Sequence, residues 1–564
     1  MRLTSAEVVL APLAGGLIGL VAFASSLGLE VLDPRNTEWL LHGDWRIHFL
    51  GWHMFRHGPW TWPIGATPLL ASPVGSSVGL TDSIPLAAVL FKGLDPALPQ
   101  VFQYFGLWLC SCFVLQGVFG AMLMRQATER VPLQILGAAL LVLSPALVFR
   151  VAHPALTAHW LLLAALWLYF RKRGNAPPRL FLGWAVIAGI ASGTHPYLLV
   201  MVLMLMGAAY ARQVIVAPAT TFRVACSLVA VVGLCSVILW QSGYFIVETT
   251  SDLQGTGFGF LSMNLLSPIS PLSGSLFGAA PFRQASAGQY EGYAYLGAGM
   301  LLLSGVAVVR LAWTVPRVIK SALAWQHLPF VLACTILTIL AVSPGVTLGE
   351  RLLFTYPAEW WGPLTLFRSS GRMFWPVYYA IAFGTLGVIA KLGYRTAIVL
   401  LTIAVGLQAA DLRGHYRATR DHRTLGFNNP LKSPFWAVAP PHYERLTLVP
   451  TSLCTPSIAF DDRAFILLAG RHGLAVNAGA AARHDLQRAR QHCSELSQQL
   501  RSGHVAEDAL YVLSSDAAAL FKSAAGAALA CTAVDRFTVC FSPRTRLAWQ
   551  DAFDIGAGGG PSPP

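Results

Sequence analysis

Residues 43–60 read GDWRIHFLGWHMFRHGPW, with one carboxylate, three histidines and two arginines in a single short stretch. Asp44 has the chemistry of a general base, able to take a proton from an attacking hydroxyl, and His48 can assist it. Arg46 and Arg56 can grip the oxygens of a phosphate. A second carboxylate, Asp82, follows in TDSIPL. LFRSSGRMFW sets Arg368 and Arg372 four apart at the start of an apolar run. A helix N-terminus flanked by two guanidiniums holds a phosphate well, although arginines at such places also simply snorkel to the membrane interface. GTHPYLL brings His195 and Tyr197 to a tight turn, VAHPALTAHW does the same with His153 and His159, and EGYAYLG brings Glu291, Tyr293 and Tyr295 to the mouth of another apolar run. Histidines at turns are more often structural than catalytic. His53 and His57 have the i, i+4 spacing of metal ligands but no HExxH context, so a divalent metal is a weak option and no cofactor is expected.

These groups need elements to position them. Read as a helix, residues 44–57 place Trp45, Phe49 and Trp52 at i, i+4 and i+7, an aromatic stripe suited to anchoring at a membrane surface. Asp44, His48 and Gly51 share a second face that points toward the rest of the protein, about 100° away by helical geometry. Arg46, Leu50, His53 and His57 share a third. The bland alternative is that this polar loop is only a solvated face.

The surrounding chain is apolar. Of 564 residues 55% are hydrophobic and 12% charged, and the mean hydropathy is +0.56. A soluble domain carries about 25% charged residues, so the composition predicts a polytopic membrane protein. Residues 9–29 form a first span. A signal peptide fits poorly, because the apolar core is long and no small-residue cleavage site precedes Asp33-Pro34. Further apolar runs lie at about 99–123, 132–150, 155–170, 180–194, 196–211, 223–245, 293–312, 328–343, 372–390 and 395–411, for about eleven spans in all. The formal net charge is +13. Much of it sits in short loops: Arg125 and Arg130; Arg171, Lys172 and Arg173; Arg310, Arg317 and Lys320; Lys391 and Arg395. The positive-inside rule makes that face cytoplasmic and makes nucleic acid a poor partner. The large loop 30–98 then lies outside, with 246–291, 344–371 and everything after 411. The apolar stretch from Ser83 to Leu94 is too short to cross and reads as a re-entrant or interfacial helix.

Beyond residue 411 the composition changes. DLRGHYRATRDHRTLGFNNPLKSP is polar and punctuated by Pro and Gly. After it, β-like runs (YERLTLV, FILLAG, ALYVLS, FTVCF) alternate with a helix-like stretch, AAARHDLQRARQHCSELSQQLRSG. Residues 412–555 therefore read as a small soluble α/β domain, with a disordered tail at 556–564. Asn477, in LAVNAGAAARHD, reads as a turn residue. Five cysteines, Cys110, Cys112, Cys226, Cys235 and Cys334, fall in spans and four fall in the tail. An even count there suits an oxidising compartment. Cys531 and Cys540 flank a hairpin-like stretch, so they are expected to pair, leaving Cys454 with Cys493.

One span, a large external loop opening on an acidic residue and an amphipathic helix, many further spans and a soluble tail: this layout resembles the GT-C superfamily of membrane glycosyltransferases over roughly residues 5–411. The stretches GDWRIHFLGWHMFRHGPW, TDSIPL, EGYAYLG and LFRSSGRMFWPVYYA carry the resemblance, which is closest to an uncharacterised bacterial branch of membrane proteins. It implies a mainly α, GT-C-like bundle in the bacterial cytoplasmic membrane, a polyprenyl-phosphate sugar donor, and a glycan or lipid acceptor on the outer face. The implied external-loop carboxylate maps onto Asp44, with Asp82 as second candidate. Arg46, Arg56, His195, Tyr197, Glu291, Tyr295, Arg368 and Arg372 become the donor and substrate set. No Asp-x-Asp pair is present, which argues for a metal-independent site. Two rivals are a transporter or flippase for a lipid-linked saccharide and a non-catalytic envelope scaffold. Charges gathered at one face disfavour transport, and the tail carries no Gly-rich phosphate loop or nucleophile elbow.

Overall fold

A computed structural model describes residues 5–171, 177–247, 257–272, 275–276, 282–313, 325–357, 360–455, 461–479 and 485–546. Lys172, Arg173, Arg317, Lys320 and the tail 556–564 lie outside them. The chain forms two compact units. The first comprises Met1–Asn36, Val101–Ile238 and Gln254–Leu425; the second comprises Thr37–Gln100, Leu239–Leu253 and Gly426–Pro564. The last apolar helix runs on into Arg413–Arg423, and this basic helix packs in the first unit.

The first unit is helical. Among the described residues, seven helices are long and apolar enough to cross a membrane: Val8–Leu27, Phe105–Met124, Val131–Ala152, Pro196–Val216, Pro218–Gln241, Ser370–Ala390 and Tyr394–Arg423. Four shorter apolar helices, Pro154–Phe170, Phe181–Ser192, Ala298–Ala312 and Leu328–Val342, fall on the remaining predicted runs. Apolar side chains such as Phe222, Val229 and Val308 point outward, each more than 60% exposed. A helix that is apolar on its outward face needs a lipid solvent.

Small residues let the first helices meet. Gly15 and Gly19 are four apart, and a Cβ on either would stand 2.3 Å from Gly117 O or 2.1 Å from Phe113 O. This is small-xxx-small packing, in which backbone contact replaces the absent hydrophobic drive between helices in lipid. Gly117→Ala would place a methyl 1.8 Å from Gly15 O. Backbone cannot yield as a side chain does, so the substitution is expected to cost about 1–3 kcal/mol, read as a lowered melting temperature in detergent. A Gly207→Ala control, with open space around it, should melt like the parent.

Loop and tail form the second unit together. Its sheet has five strands: Arg445–Val449 is flanked by Ala475–Val476 and Ala509–Leu513 in parallel, and the hairpin Ala530–Val534 and Phe537–Phe541 joins the Ala509–Leu513 side antiparallel. Beyond Val476 the loop adds its own backbone: Val476 N donates to Leu69 O at 2.8 Å and Ser72 N to Val476 O at 2.9 Å. The sheet edge is thus covered. FILLAG, expected as a strand, is the core of the Asp462–His472 helix. Asp461 caps its start by accepting from Arg463 N, and Gly473 ends it at φ +68; a six-residue apolar run cannot be told apart by periodicity alone. The expected disulfides are both formed, Cys454–Cys493 at a Cα separation of 5.6 Å and Cys531–Cys540 at 4.1 Å.

Candidate functional site

The candidate side chains sort into two groups, one in each unit. In the second unit the Trp45–His57 helix is a core element, not a surface anchor. Trp45, Phe49 and Trp52 are each at most 4% exposed, and Trp45 packs edge-on against Trp39. The aromatic stripe expected to seat on the membrane is therefore spent on the interior of the unit. The third face is partly covered: Leu50 is buried, Arg46 and His53 are part-buried and His57 is exposed. It packs on the Asp462–His472 helix, where His53 Nε2 lies 3.0 Å from Leu467 O.

That contact occupies one ring nitrogen of His53 and fixes the ring. Burial, reinforced by the His57 charge, pushes its pKa down to about 3, and His57 Nδ1 is engaged by His53 O at 2.9 Å. Arg56 is also committed. It pairs with Asp95 at 2.6 Å and donates to Gln100 O and Pro99 O, so it braces the loop and does not wait for a phosphate. Arg46 faces two acids: burial pushes the Asp462 carboxyl up, and the Arg46 charge opposes that rise and helps lower Asp461.

What the helix leaves outside is Asp44. It sits at the N-cap, exposed, and its carboxylate makes no capping bond. The helix behind it is pinned to the TDSIPL turn. His48 is buried, with Nδ1 2.5 Å from Asp82 O, and Ser83 Oγ donates to His48 O at 2.7 Å. Gly51 permits this approach, since a Cβ there would be 2.2 Å from Thr81 Oγ1. Asp82 and Ile84 both hold φ near +53. Such strain in non-glycine residues persists only where surroundings over-determine it. His48 is thus a positioning group for the Asp82 turn. The stretch after it forms the short Pro85–Gly93 helix.

In the first unit the structure gathers Glu291, Arg372, Arg150, His153, His195 and Tyr197. Glu291 Oε2 accepts from Arg372 Nε at 2.9 Å and lies 2.8 Å from Arg150 Nη1. Arg150 Nη2 also donates to Glu291 O at 2.7 Å. All three are at most 8% exposed. Burial by itself pushes the Glu291 carboxyl up, but Arg150 and Arg372, with His153 adding to them, outweigh it and hold the group well below the usual carboxylate range. Glycines make the approach possible: a Cβ on Gly371 would stand 2.5 Å from Gly292 Cα. The Arg372 guanidinium lies 5.0 Å from the Tyr197 ring centre, Tyr197 OH accepts from Ser369 N at 2.8 Å, and the His195 ring is 5.7 Å from that of His153. Two guanidiniums held by one carboxylate are donors of fixed orientation, a chemistry that suits an anion such as a phosphate.

Arg150 is the member that the sequence reading missed. Its signal was a lone arginine at the end of the apolar run 132–150. Tyr295 lies elsewhere: its hydroxyl is 3.4 Å from Ser275 Oγ. Ser275 in turn donates to Asp411, which with Gln408 accepts from the first backbone N–H groups of the Ala298–Ala312 helix. That is trans-capping of a helix start that has no water to turn to. Arg368 is half-buried, with its stem against Gly257.

Comparison with known proteins finds two family models in succession along the chain. A family model described as Domain of unknown function (DUF6311) matches residues 16–413, and one described as DUF6311 C-terminal domain matches 435–542. No curated protein matches the chain.

Proposed function

We propose a function from the premise that the chain belongs to the DUF6311 family: it is an integral membrane glycosyltransferase. It moves a sugar from a polyprenyl-phosphate donor to an extracytoplasmic glycan or lipid acceptor. The observation that carries this reading is the buried Arg150–Glu291–Arg372 cluster at the ends of two candidate spans. Glu291 holds two guanidiniums in place, so a donor phosphate meets charge already oriented, which is where a departing phosphate needs stabilising. Asp44, on a rigid helix, supplies the base for the acceptor hydroxyl. Apolar helices offer a groove for the polyprenyl tail. No metal is called on for any of these roles.

In this reading the seven long and four shorter apolar helices make eleven crossings of a bacterial cytoplasmic membrane, with Met1 inside and the C-terminal region periplasmic. Cysteine labelling in intact cells tests the topology. A residue introduced beside Gly503 is expected to react with an impermeant reagent and one beside Arg173 is not; the reverse pattern inverts it.

The transfer itself is tested with the full-length protein in nanodiscs, given a radiolabelled polyprenyl-phosphate sugar and a cell-envelope glycan extract. Labelled glycan supports the reading. Translocation of intact donor across a liposome without transfer would favour the second reading, a transporter of lipid-linked saccharide. One observation speaks for that second reading: a buried polar chain among the helices, where Tyr379 OH meets His159 Nδ1 at 2.8 Å and Gln116 Nε2 at 3.1 Å. Polar groups inside a bundle are costly and tend to mark a pathway.

A further inference from the structure

The second unit holds a cleft of about 200 Å³ between its sheet and the Leu486–Ser502 helix, lined by Arg445, Thr447, Asn477, His492, Glu495 and Gln499 among others. Its chemistry is readable group by group. Asn477 closes the strand side: its Oδ1 accepts from Leu448 N and its Nδ2 donates to Leu448 O. The asparagine expected at a turn is therefore a rigid wall. The Cys454–Cys493 disulfide anchors the helix at the residue beside His492.

His492 is the informative member. Its Nε2 is buried and has no hydrogen-bond partner among the described residues. A buried polar atom without a partner costs about 1–3 kcal/mol, and a ligand that fills the cleft would remove the cost. Burial holds this imidazole below its ordinary pKa, against the pull of Glu495, so it is neutral near pH 7 and offers one donor and one acceptor. Gln499 uses its amide N–H groups on His504 O and Tyr511 OH, which leaves Oε1 as an acceptor. Glu495 presents a carboxylate, whose Oε1 already accepts from Gln491 Nε2 at 2.8 Å, and Thr447 a hydroxyl.

Charge decides the class of ligand. Arg445 is already paired with Asp508 at 2.5 Å, and Glu495 adds a negative group, so the cleft lacks the positive excess that a phosphate or a uronate requires. It carries too many polar groups for an apolar guest. Donors and acceptors in close alternation fit vicinal hydroxyls. A dry cavity of about 150 Å³ accepts benzene, so this one has room for a single hydroxylated ring. We propose that the cleft binds one neutral sugar residue of a glycan. That the glycan is the acceptor rests on the transferase reading; the binding does not.

The test is binding without donor. Full-length protein in nanodiscs is examined by saturation-transfer NMR with glucose, galactose, mannose, N-acetylglucosamine, glucuronate and inorganic phosphate. At least one neutral sugar is expected to saturate at millimolar concentration. His492→Ala and, as a milder change on the exposed helix face, Glu495→Gln should each weaken it about tenfold or more, with unchanged melting temperature. Asp44→Asn should bind as the parent does, which separates failure of this site from failure of transfer. Absence of saturation by every neutral sugar below about 10 mM, tighter binding of phosphate or glucuronate, or equal affinity in both variants overturns the assignment.

Discussion

Asp44→Asn is expected to lower sugar transfer by about 10²–10⁴, the usual contribution of general-base assistance, while leaving expression, melting temperature and donor binding at parental levels. The structure explains why the fold should be indifferent. Asp44 is exposed at the start of the Trp45–His57 helix and makes no capping bond there. That helix is held instead by its buried tryptophans and by Ser83 and His48 on the TDSIPL turn. Asparagine keeps the size of the side chain but cannot accept the proton. The measurement is initial rate with radiolabelled donor in nanodiscs, beside a thermal melt. Near-parental turnover would remove Asp44 from the mechanism and pass the role to Asp82, whose strained backbone at φ +53 is held by the same helix.

Glu291→Ala should act on both stability and donor binding. It would remove the carboxylate that Arg150 and Arg372, each at most 8% exposed, share. Breaking a buried ion pair from one side costs about 3–5 kcal/mol, so the variant is expected to melt far lower or to accumulate poorly. Arg372→Ala removes one guanidinium and leaves Glu291 paired with Arg150. It should weaken donor binding while disturbing the fold less. The acid limb offers a gentler probe. Glu291 is held below its ordinary carboxylate value. Its stabilising share is therefore complete above an unfolded pKa of about 4.3 and is lost as pH falls toward the lower folded value. Parent protein should lose melting temperature below about pH 4.5 more steeply than Glu291→Gln, which has no such proton to take up. Identical acid limbs in the two would show that the pair adds nothing to stability.

Much of this protein was determined by its sequence alone. Long apolar runs without charge read as candidate membrane helices, and every run read that way is helical among the described residues, seven of them long enough to cross. Four cysteines confined to the tail pair as expected: Cys531 and Cys540 are hairpin neighbours brought together locally, and Cys454 and Cys493 are the two that remain. Glu291, Arg372, His195 and Tyr197 stood out by residue type, since polar groups at the mouths of apolar runs carry a cost that needs a reason. Tertiary structure decided what those groups touch. The same Trp45, Phe49 and Trp52 stripe suits a membrane surface or a protein interior, since periodicity records that a face is apolar and not what covers it. Arg56 could have met a phosphate, and a loop carboxylate at Asp95 reached it first. FILLAG is short enough to be strand or helix until its caps are satisfied by Asp461 and Gly473. Arg150 joined Glu291 from 141 residues away, through glycine contacts at 292 and 371 that no local pattern encodes. Long-range pairing of charge depends on which backbones can approach, and that is a property of the packed chain.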